Sequence, residues 1–323
     1  MRCAVLCLLL YSIPLVVNHT QFNCLEDRKY VMLNICVIEN FRTSKAADLT
    51  GFVKPNVTQL EFRNPTIRHF GIDFFQLIAD AKRVTLRNGF VREVLIHSST
   101  IEELQVLGTD LVELDTLAEH NYSLKKLAVR SPVFSRWSSN LRFLTALEVI
   151  DIAYCNFSYL NLDWFSTFKQ LHVLDVSNNR LHSVHSTPFL QLKPLEELYL
   201  AGNQLEFMWR FPDAFPNLAL ISLSENRWLC EWLSMARDVI WQMSIALMDS
   251  DFSCQEGWVR NGGVCCKESK KDKKNENIGE SDLVVTNAEL DIILVDTGKS
   301  GQELAIGAEM GNATVYFDEL IPV

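Results

Sequence analysis

The sequence predicts an α/β repeat solenoid with parallel strands on its concave face and a disulfide-containing cap at each end. Three observations indicate this fold class. Two segments, at 171–184 and 195–208, share one spacing of leucines and an asparagine. The same spacing of apolar residues extends over 57–229, and cysteines stand shortly before and after that region. Repeated units of fixed period form solenoids because each unit buries its apolar face only against its neighbours.

The repeats define the central region, residues 57–229. The two clearest segments, LHVLDVSNNRLHSV and LEELYLAGNQLEFM, match L-x-x-L-x-L-x-x-N-x-L, the strand core of a leucine-rich repeat. The second leucine of this pattern is the anchor of each unit. Eight anchors follow one another at steps of 20 to 24 residues: Leu60, Val84, Leu104, Leu127, Ile150, Leu174, Leu198 and Ile221. The sequence therefore predicts a leucine-rich repeat horseshoe of about eight repeats.

A second position of the repeat, five residues after the anchor, carries asparagine or cysteine. Its side chain has to satisfy backbone groups where the chain leaves the strand. Asparagine stands there in the last three repeats and Cys155 in the fifth, whereas proline, glycine or threonine occupies it in the first four. The early repeats are therefore degenerate. We expect Cys155 to be a buried, reduced residue of this row.

Residues 1–19 are predicted to be a secretory signal peptide, because Arg2 is followed by an almost unbroken apolar run. No later segment reaches the roughly eighteen apolar residues that a membrane span requires. Four N-x-S/T sequons fit a secretory route. We predict glycosylation at Asn56, Asn121, Asn156 and Asn312.

Residues 20–56 are predicted to close the start of the solenoid. A solenoid exposes apolar residues at each end and needs such closing elements. Cys24 and Cys36 bracket a hairpin-like segment, and Ile35 and Val37 suit the first strand of the sheet. We expect a Cys24–Cys36 disulfide.

Residues 230–266 are predicted to close the other end. Apolar residues recur at helical spacing after Asn226, and four cysteines follow: Cys230, Cys254, Cys265 and Cys266. The segment is similar to the C-terminal cap of extracellular leucine-rich repeat proteins, which opens with N-P-W-x-C-x-C. Here Arg227 replaces the proline and Trp232 replaces the second cysteine. The usual pair of bridges is therefore not expected to form unaltered.

The adjacent Cys265 and Cys266 pose a geometric question. Neighbouring Cα atoms lie about 3.8 Å apart, whereas disulfides prefer roughly 4.4–6.8 Å, so a bond between the two would be strained. In an extended chain their side chains point to opposite sides. We expect one to face the cap and the other to face a partner chain, with which it would form a disulfide. The spacing leaves open which cysteine has which role.

Beyond the cap, the composition of the chain changes. Residues 267–280, KESKKDKKNENIGE, are predicted to be a charged linker. Residues 281–323 contain eight Asp or Glu and one Lys, so this acidic tail carries most of the formal net charge of −10. Its apolar residues alternate with period two rather than with a coiled-coil heptad. The sequence does not decide whether the tail is folded.

A signal peptide, about eight repeats, a cap beginning N-x-W-x-C and a double cysteine together resemble the leucine-rich immune proteins of mosquitoes. Because no coiled coil follows the cysteines, the likeness is to the coil-less branch. The resemblance implies a secreted haemolymph protein of insect innate immunity that binds other proteins or pathogen surfaces. Relatives bind disulfide-linked partner chains and thioester-containing, complement-like proteins, so the resemblance implies partners of these two kinds. An extracellular adhesive or matrix-associated protein without an immune role is the alternative.

The candidate binding face consists mainly of exposed strand positions one and three residues after each anchor. Arginines recur there in the first four repeats, whereas acidic residues and tyrosine, a residue favoured at interfaces, occur in the last four. The predicted binding residues are Arg63, Arg87, Arg130, Asp151, Tyr154, Asp175 and Tyr199. The alternative is that these side chains are merely solvated and that the arginines pair with Glu61 and Glu103.

Other classes of function find little support. Nucleic-acid recognition requires a basic face, which a net charge of −10 does not favour. The G-K-S at 298–300 lacks the earlier glycine of a phosphate loop, and no cysteine or carboxylate joins His182 and His185 to complete a metal site. No catalytic motif is present. We expect a non-catalytic protein that requires no cofactor.

Overall fold

The structure, a computed structural model, describes residue 24 and residues 34–43, 57–97 and 100–269. The chain divides into two units, Met1–Ser269 and Lys270–Val323, and all described residues belong to the first. The predicted signal peptide, the acidic tail, most of the charged linker and much of the N-terminal cap lie outside the described residues. The sequons at Asn56 and Asn312 also lie outside them.

Ten parallel strands form one continuous sheet, and consecutive strands of this path belong to successive repeats. In sheet order they are β1 (Ile35–Glu39), β3 (Gln59–Arg63), β5 (Arg83–Ile96), β6 (Glu103–Thr109), β8 (Lys126–Arg130), β9 (Val149–Asp151), β11 (Val173–Asp175), β13 (Glu197–Tyr199), β14 (Leu220–Ser222) and β15 (Ala246–Leu247). Stacked units that each add one parallel strand are the architecture of a leucine-rich repeat solenoid. The predicted fold class is confirmed.

The eight predicted anchors lie directly opposite one another across this sheet. Leu60 pairs with Val84, for example, and Leu198 pairs with Ile221. Each anchor side chain is no more than 2% exposed. The same row continues to Cys36 in β1 and to Leu247 in β15, so both caps contribute a strand to the sheet.

The side of the solenoid away from this sheet changes along its length. In the first repeats it is a second parallel ladder of β2 (Arg42–Thr43), β4 (Thr66–Phe70), the far half of β5 and β7 (Glu113–Thr116). Later repeats replace it with two 3-10 helices and a strand pair. These are Ser139–Phe143, Leu162–Phe165, β10 (Tyr159–Asn161) and β12 (Ser183–His185).

The core beneath the sheet contains a cluster of aromatic side chains at its start. Phe70 stacks on Phe74 at 4.6 Å between ring centroids and meets Phe75 edge-on at 5.0 Å. Phe74 and Phe75 belong to the short helix α1 (Ile72–Leu77), which crosses from β4 toward β5. Full burial of such a side chain contributes roughly 1.5–3 kcal/mol relative to exposure.

Asn179, Asn203 and Asn226 form a row of buried asparagines. The amide nitrogen of Asn203 donates to the carbonyl oxygens of Val176 and Leu200 at 3.0 and 2.9 Å. Equivalent bonds occur at the other two asparagines. Each side chain thus satisfies backbone groups of its own repeat and of the preceding one.

Cys155 is a buried free thiol in the same row, as predicted. Its Sγ donates to the carbonyl oxygen of Val129 at 3.2 Å. Burial raises the pKa of the Cys155 thiol to about 12. A protonated, buried thiol is unreactive, so the role of Cys155 is structural.

The residue four positions after each anchor adopts a left-handed backbone conformation in nearly every repeat. Positive φ values occur at Asn40, Asn64, Asn88, Gly108, Tyr154, Asn178, Gly202 and Glu225. Asparagine and glycine tolerate this conformation, whereas Tyr154 and Glu225 adopt it at an energetic cost. The equivalent Ser131 has no positive φ because Pro132 follows it, and a residue before proline favours extended backbone.

The C-terminal cap consists of helix α2 (Cys230–Gln242), strand β15 and the hairpin of β16 (Val259–Asn261) and β17 (Val264–Cys266). Disulfides Cys230–Cys266 and Cys254–Cys265 connect these elements. The expected Cys24–Cys36 disulfide is present at the other end of the solenoid.

The prediction that Cys265 or Cys266 bonds to a partner chain is wrong. The two side chains do diverge in β17, but each meets a cysteine of the same chain. Cys266 reaches the start of α2, and Cys265 reaches Cys254. The double cysteine therefore completes two bridges although Trp232 occupies the usual place of a cysteine. The Trp232 ring instead stacks on buried Trp228 at 4.4 Å.

Candidate functional site

The candidate site lies on the exposed side of the ten-stranded sheet, called the concave face below. Side chains alternate along a strand, so residues one before, one after and three after each anchor share this face. Equivalent residues of neighbouring strands lie side by side, about 4.8 Å apart. The face therefore consists of three parallel rows of side chains.

In the first repeats, the concave face is a ladder of alternating charges. The Glu61 carboxylate lies 2.8 Å from the Arg63 guanidinium and 3.3 Å from that of Arg87. Arg63 also approaches Glu39 at 4.0 Å. The row is therefore compensated within the protein rather than cationic, and the alternative pairing with Glu61 is the one present. Opposite charges across neighbouring strands stabilise the sheet itself.

Glu103 extends the ladder with cations that the sequence analysis did not assign to it. The carboxylate pairs with Arg83 and, at 3.2 Å, with Lys126. Arg83 in turn donates to the Gln59 side chain at 3.0 Å. These residues all precede an anchor, so they form a row beside the predicted arginines.

Arg130, Asp151, Tyr154, Asp175 and Tyr199 come together further along the sheet. Nη2 and Nε of Arg130 donate to Oδ2 of Asp151 at 2.7 and 3.1 Å. The guanidinium lies 5.6 Å from the centroid of the Tyr154 ring, within cation–π range. Asp175 is the register partner of both Asp151 and Tyr199. Five of the seven predicted residues thus form one group, called the central cluster.

The central cluster contains more acid than base. Arg130 neutralises Asp151, and this bond raises the pKa of Arg130. Asp175 makes no ion pair within the described part of the chain, and its Oδ1 accepts from the Ser177 N–H at 2.9 Å. Burial is the main cause that raises the pKa of Asp175, and nearby Asp151 adds to it. Asp175 is therefore a partly buried carboxylate whose charge a cation from outside would stabilise.

Tyr199 adds a fixed hydroxyl beside Asp175. Its OH donates to Oε2 of Glu197 at 2.8 Å. Burial, followed by this hydrogen bond, raises the pKa of Tyr199 to about 12. The hydroxyl therefore remains protonated at physiological pH.

Three residues of this region were missed by the sequence analysis: Val149, Val173 and Glu197. They precede their anchors and are register partners on β9, β11 and β13. Each is partly exposed, and the two valines give the central cluster an apolar border. The period-two alternation of a strand could have identified them, because residues on both sides of an anchor share one face.

Tyr154 stands at the edge of the central cluster and is 56% exposed. Its φ is 54°, at a repeat position where most other units have asparagine or glycine. A bulky residue in this conformation costs on the order of 1–2 kcal/mol. The contact that the structure shows for the ring is the one with Arg130, and strained residues of this kind concentrate at functional sites.

The two described sequons present partly exposed asparagines. Oδ1 of Asn121 accepts from the N–H groups of Ser123 and Leu124 at 2.9 and 3.0 Å, which orients the side chain in a turn. Asn156 follows Cys155 directly and is also partly exposed. Both asparagines are reachable at the surface, and glycosylation at either one remains a prediction.

Two other kinds of feature are absent from the described residues. No group of three or more His, Cys, Asp or Glu side chains there is arranged to bind a metal ion. In the same residues, no helix combines the length and apolar character that crossing a membrane requires.

Comparison with known proteins agrees with the observed fold. A family profile described as leucine rich repeat matches residues 145–205, which include β9, β11 and β13. Over 104 residues, the chain is 33% identical to trophoblast glycoprotein of Macaca fascicularis. That match covers 31% of this chain and 24% of the other protein, so it concerns a minor part of each.

Solved structures with a similar fold are also found. The TLR13–ssRNA13 complex is similar with a TM-score of 0.51 and 18% identity, covering 61% of this chain and 29% of that one. The LRIM1/APL1C complex is similar with a TM-score of 0.47 and 19% identity, covering 78% of this chain and 55% of that one. The chain thus spans from about a quarter to about half of these proteins, and the likeness at these identities shows the fold alone.

Proposed function

We propose that this protein is a secreted, non-catalytic leucine-rich repeat protein of insect innate immunity that binds other proteins or pathogen surfaces through the central cluster. Three disulfides support an extracellular location, because such bonds persist in oxidising compartments. The resemblance in repeats, cap and double cysteine supports the immune role. The assignment of the binding site rests on one observation, the grouping of charged and tyrosine side chains in the central cluster.

The chemistry of the central cluster favours a partner with a basic and apolar surface. Asp175 and Glu197 pair with no cation among the described residues, whereas Arg130 is already occupied by Asp151. A lysine or arginine of the partner would neutralise Asp175 and lower its raised pKa. Val149, Val173 and the Tyr154 ring would contact apolar atoms beside that cation.

Tyr154 and Arg130 are the expected energetic centre of this interface. Tyrosine and arginine are enriched among residues whose truncation costs 2 kcal/mol or more in binding. Here the Arg130 guanidinium is oriented in advance by Asp151 and the Tyr154 ring, so little side-chain freedom remains to be lost on binding.

Thioester-containing, complement-like proteins are the proposed partner class. The test is affinity purification from the body fluid of immune-challenged insects with the wild-type protein, Tyr154→Ala and Phe189→Ala. Phe189 is 94% exposed and is not part of the central cluster, so it serves as a matched control. We expect thioester proteins to be enriched on wild type and Phe189→Ala, and reduced at least about tenfold on Tyr154→Ala.

Two outcomes would contradict the proposal. Equal recovery of thioester proteins on all three proteins would exclude the central cluster as the binding site. Retention on extracellular matrix without recovery of any thioester protein would favour the adhesive alternative.

A further inference from the structure

A second concavity lies between the last two repeats and the C-terminal cap, away from the central cluster. Its volume is about 640 Å³, within the range of roughly 300–1,000 Å³ that small-molecule sites occupy. Both repeats and cap contribute to its lining, which includes Gln204, Glu206, Glu225, Arg227, Gln255 and Lys267. Trp258 adds one aromatic ring. This region is called the cap pocket.

The polar side chains of the cap pocket are available to a ligand. The six polar residues just named make hydrogen bonds through their backbone, for example Gln204 N–H to Leu181 and Arg227 N–H to Leu205. Among the described residues, no hydrogen bond or ion pair engages their side chains. Donors and acceptors are intermixed, since amides, carboxylates, a guanidinium and an ammonium line one space.

Hydrogen bonds and a disulfide cross-link the backbone around the cap pocket. Buried Asp251 joins the last repeat to the cap, because Oδ1 accepts from Glu225 N–H at 2.7 Å and Oδ2 accepts from Cys265 N–H at 2.5 Å. The Cys254–Cys265 disulfide fixes the cap side. Asn226 also lines the pocket, and its amide donates to backbone carbonyls. A preorganised frame of this kind reduces the cost of binding.

Glu225 gives an independent indication that the cap pocket is functional. It has a φ of 54°, and the other left-handed residues at this repeat position are asparagine or glycine, apart from Tyr154. Its exposed carboxylate makes no hydrogen bond or ion pair among the described residues. Backbone strain at a residue that lines a pocket is a reason to look for a role at that site.

The charges of the cap pocket select the class of ligand. Glu206 and Glu225 balance Arg227 and Lys267, and the Asp251 carboxylate is occupied by two backbone N–H groups. A strongly anionic or cationic ligand would therefore gain little. Hydroxyl groups act as both donors and acceptors and match a mixed lining, and the C–H face of a sugar ring is apolar enough to stack on a tryptophan.

We propose that the cap pocket binds a neutral saccharide, with Trp258 beneath the sugar ring and Gln204, Glu206 and Glu225 at its hydroxyls. The site is separate from the central cluster and does not rest on the function proposed for it. One molecule could therefore carry a saccharide and a protein partner at the same time.

Isothermal titration calorimetry of the whole protein tests this proposal with laminaritetraose, tetra-N-acetylchitotetraose and mannotetraose as neutral probes and a heparin tetrasaccharide as the anionic one. We expect at least one neutral probe to bind more tightly than the heparin fragment. Trp258→Ala should weaken that binding at least about tenfold, the effect of losing roughly 1.4 kcal/mol of aromatic contact. Trp241→Ala, which removes an 86% exposed tryptophan of the same cap outside the pocket, should leave it unchanged.

Glu225→Gly is the second variant, because it removes the carboxylate and relieves the left-handed strain. It should weaken saccharide binding without lowering the thermal midpoint of unfolding, which separates a binding role from a folding role. Tyr154→Ala should bind saccharide like the wild type. Absence of binding to every neutral probe, preference for the heparin fragment, or equal affinity of wild type and Trp258→Ala would overturn the proposal.

Discussion

Tyr154 and Asp175 are the residues at which this protein departs most clearly from what its repeat requires. A tyrosine replaces the asparagine or glycine of the left-handed position, and a partly buried carboxylate lacks a cation among the described residues. Both departures cost stability in the free protein. Both also lie in the central cluster, where contact with a partner would offset the cost.

The backbone strain at Tyr154 predicts a difference between two substitutions. Tyr154→Ala removes the ring and keeps a residue that disfavours positive φ, whereas Tyr154→Asn removes the ring and tolerates it. We expect the asparagine variant to be more stable than the alanine variant by about 1 kcal/mol. Urea unfolding of both proteins measures this difference, and equal midpoints would show that the position is unstrained.

The raised pKa of Asp175 predicts that its charge destabilises the free protein at neutral pH. A carboxyl whose pKa is higher in the folded state contributes stability below its unfolded pKa, and this contribution is lost as the pH rises through the folded value. Asp175→Asn keeps the acceptor for the Ser177 N–H and removes the charge. The variant should be more stable than wild type at pH 7 and bind the partner less well.

The stability difference between Asp175→Asn and wild type should shrink as the pH falls below the folded pKa of Asp175. Thermal unfolding of both proteins from pH 3 to pH 8 measures this difference. A variant less stable than wild type at pH 7 would mean that the charge is satisfied within the fold.

At the scale of the repeat, the asparagine row connects neighbouring units. Asn203 illustrates this, since it bonds to carbonyls of its own repeat and the preceding one and accepts from the Leu181 N–H at 3.0 Å. Removing the side chain would leave buried backbone groups unsatisfied, and each such group costs about 1–3 kcal/mol.

Asn203→Ala should therefore lower the free energy of unfolding by about 2–4 kcal/mol. Asn217→Ala is the matched control, because the side chain of exposed Asn217 donates a single hydrogen bond within the described residues, to the Lys193 carbonyl at 2.9 Å. Its effect should stay below about 1 kcal/mol. Similar losses in the two variants, measured by urea unfolding, would refute a special role for the row.

The two disulfides of the C-terminal cap differ in the loops that they close. Cys230–Cys266 spans 36 residues and Cys254–Cys265 spans 11. Replacing both cysteines of the first pair by alanine should therefore destabilise the protein more than replacing those of the second, by roughly 1 kcal/mol.

Peptide mapping under non-reducing conditions should recover both pairs, and an intermolecular disulfide at Cys265 or Cys266 would contradict the structure.

The repeat frame could be predicted from sequence because apolar anchors and buried asparagines recur at a fixed period, and all eight anchors lie in register. The disulfide partners of Cys265 and Cys266 could not be predicted from sequence, because they depend on which elements the two diverging side chains meet in space. The pairing of Glu61 with two arginines was foreseen from the sequence, as the alternative to arginines that are free to bind a partner. An alignment of the repeats shows Ser131, Tyr154 and Glu225 as exceptions at an Asn/Gly position, but the left-handed backbone of the last two is known only from the structure.

At the scale of the whole solenoid, charge is distributed in two ways along the concave face. The first repeats compensate their charges internally, through Glu61 and Glu103 with their surrounding cations. The middle repeats retain two carboxylates, Asp175 and Glu197, that form no ion pair with any described residue, and exposed Tyr154 lies in the same region. Internal compensation stabilises the sheet and offers a partner little, so the middle repeats are where binding should concentrate.

The measurement that tests this most directly is site-specific photo-crosslinking with benzoylphenylalanine at position 154 or at position 122. Both positions hold exposed tyrosines, 56% and 76% accessible, and Tyr122 contacts His120 rather than the central cluster. In the body fluid of immune-challenged insects, the probe at 154 should form a covalent adduct with a thioester-containing protein and the probe at 122 should not. No adduct at 154, or equal yields at both positions, would contradict binding through the central cluster.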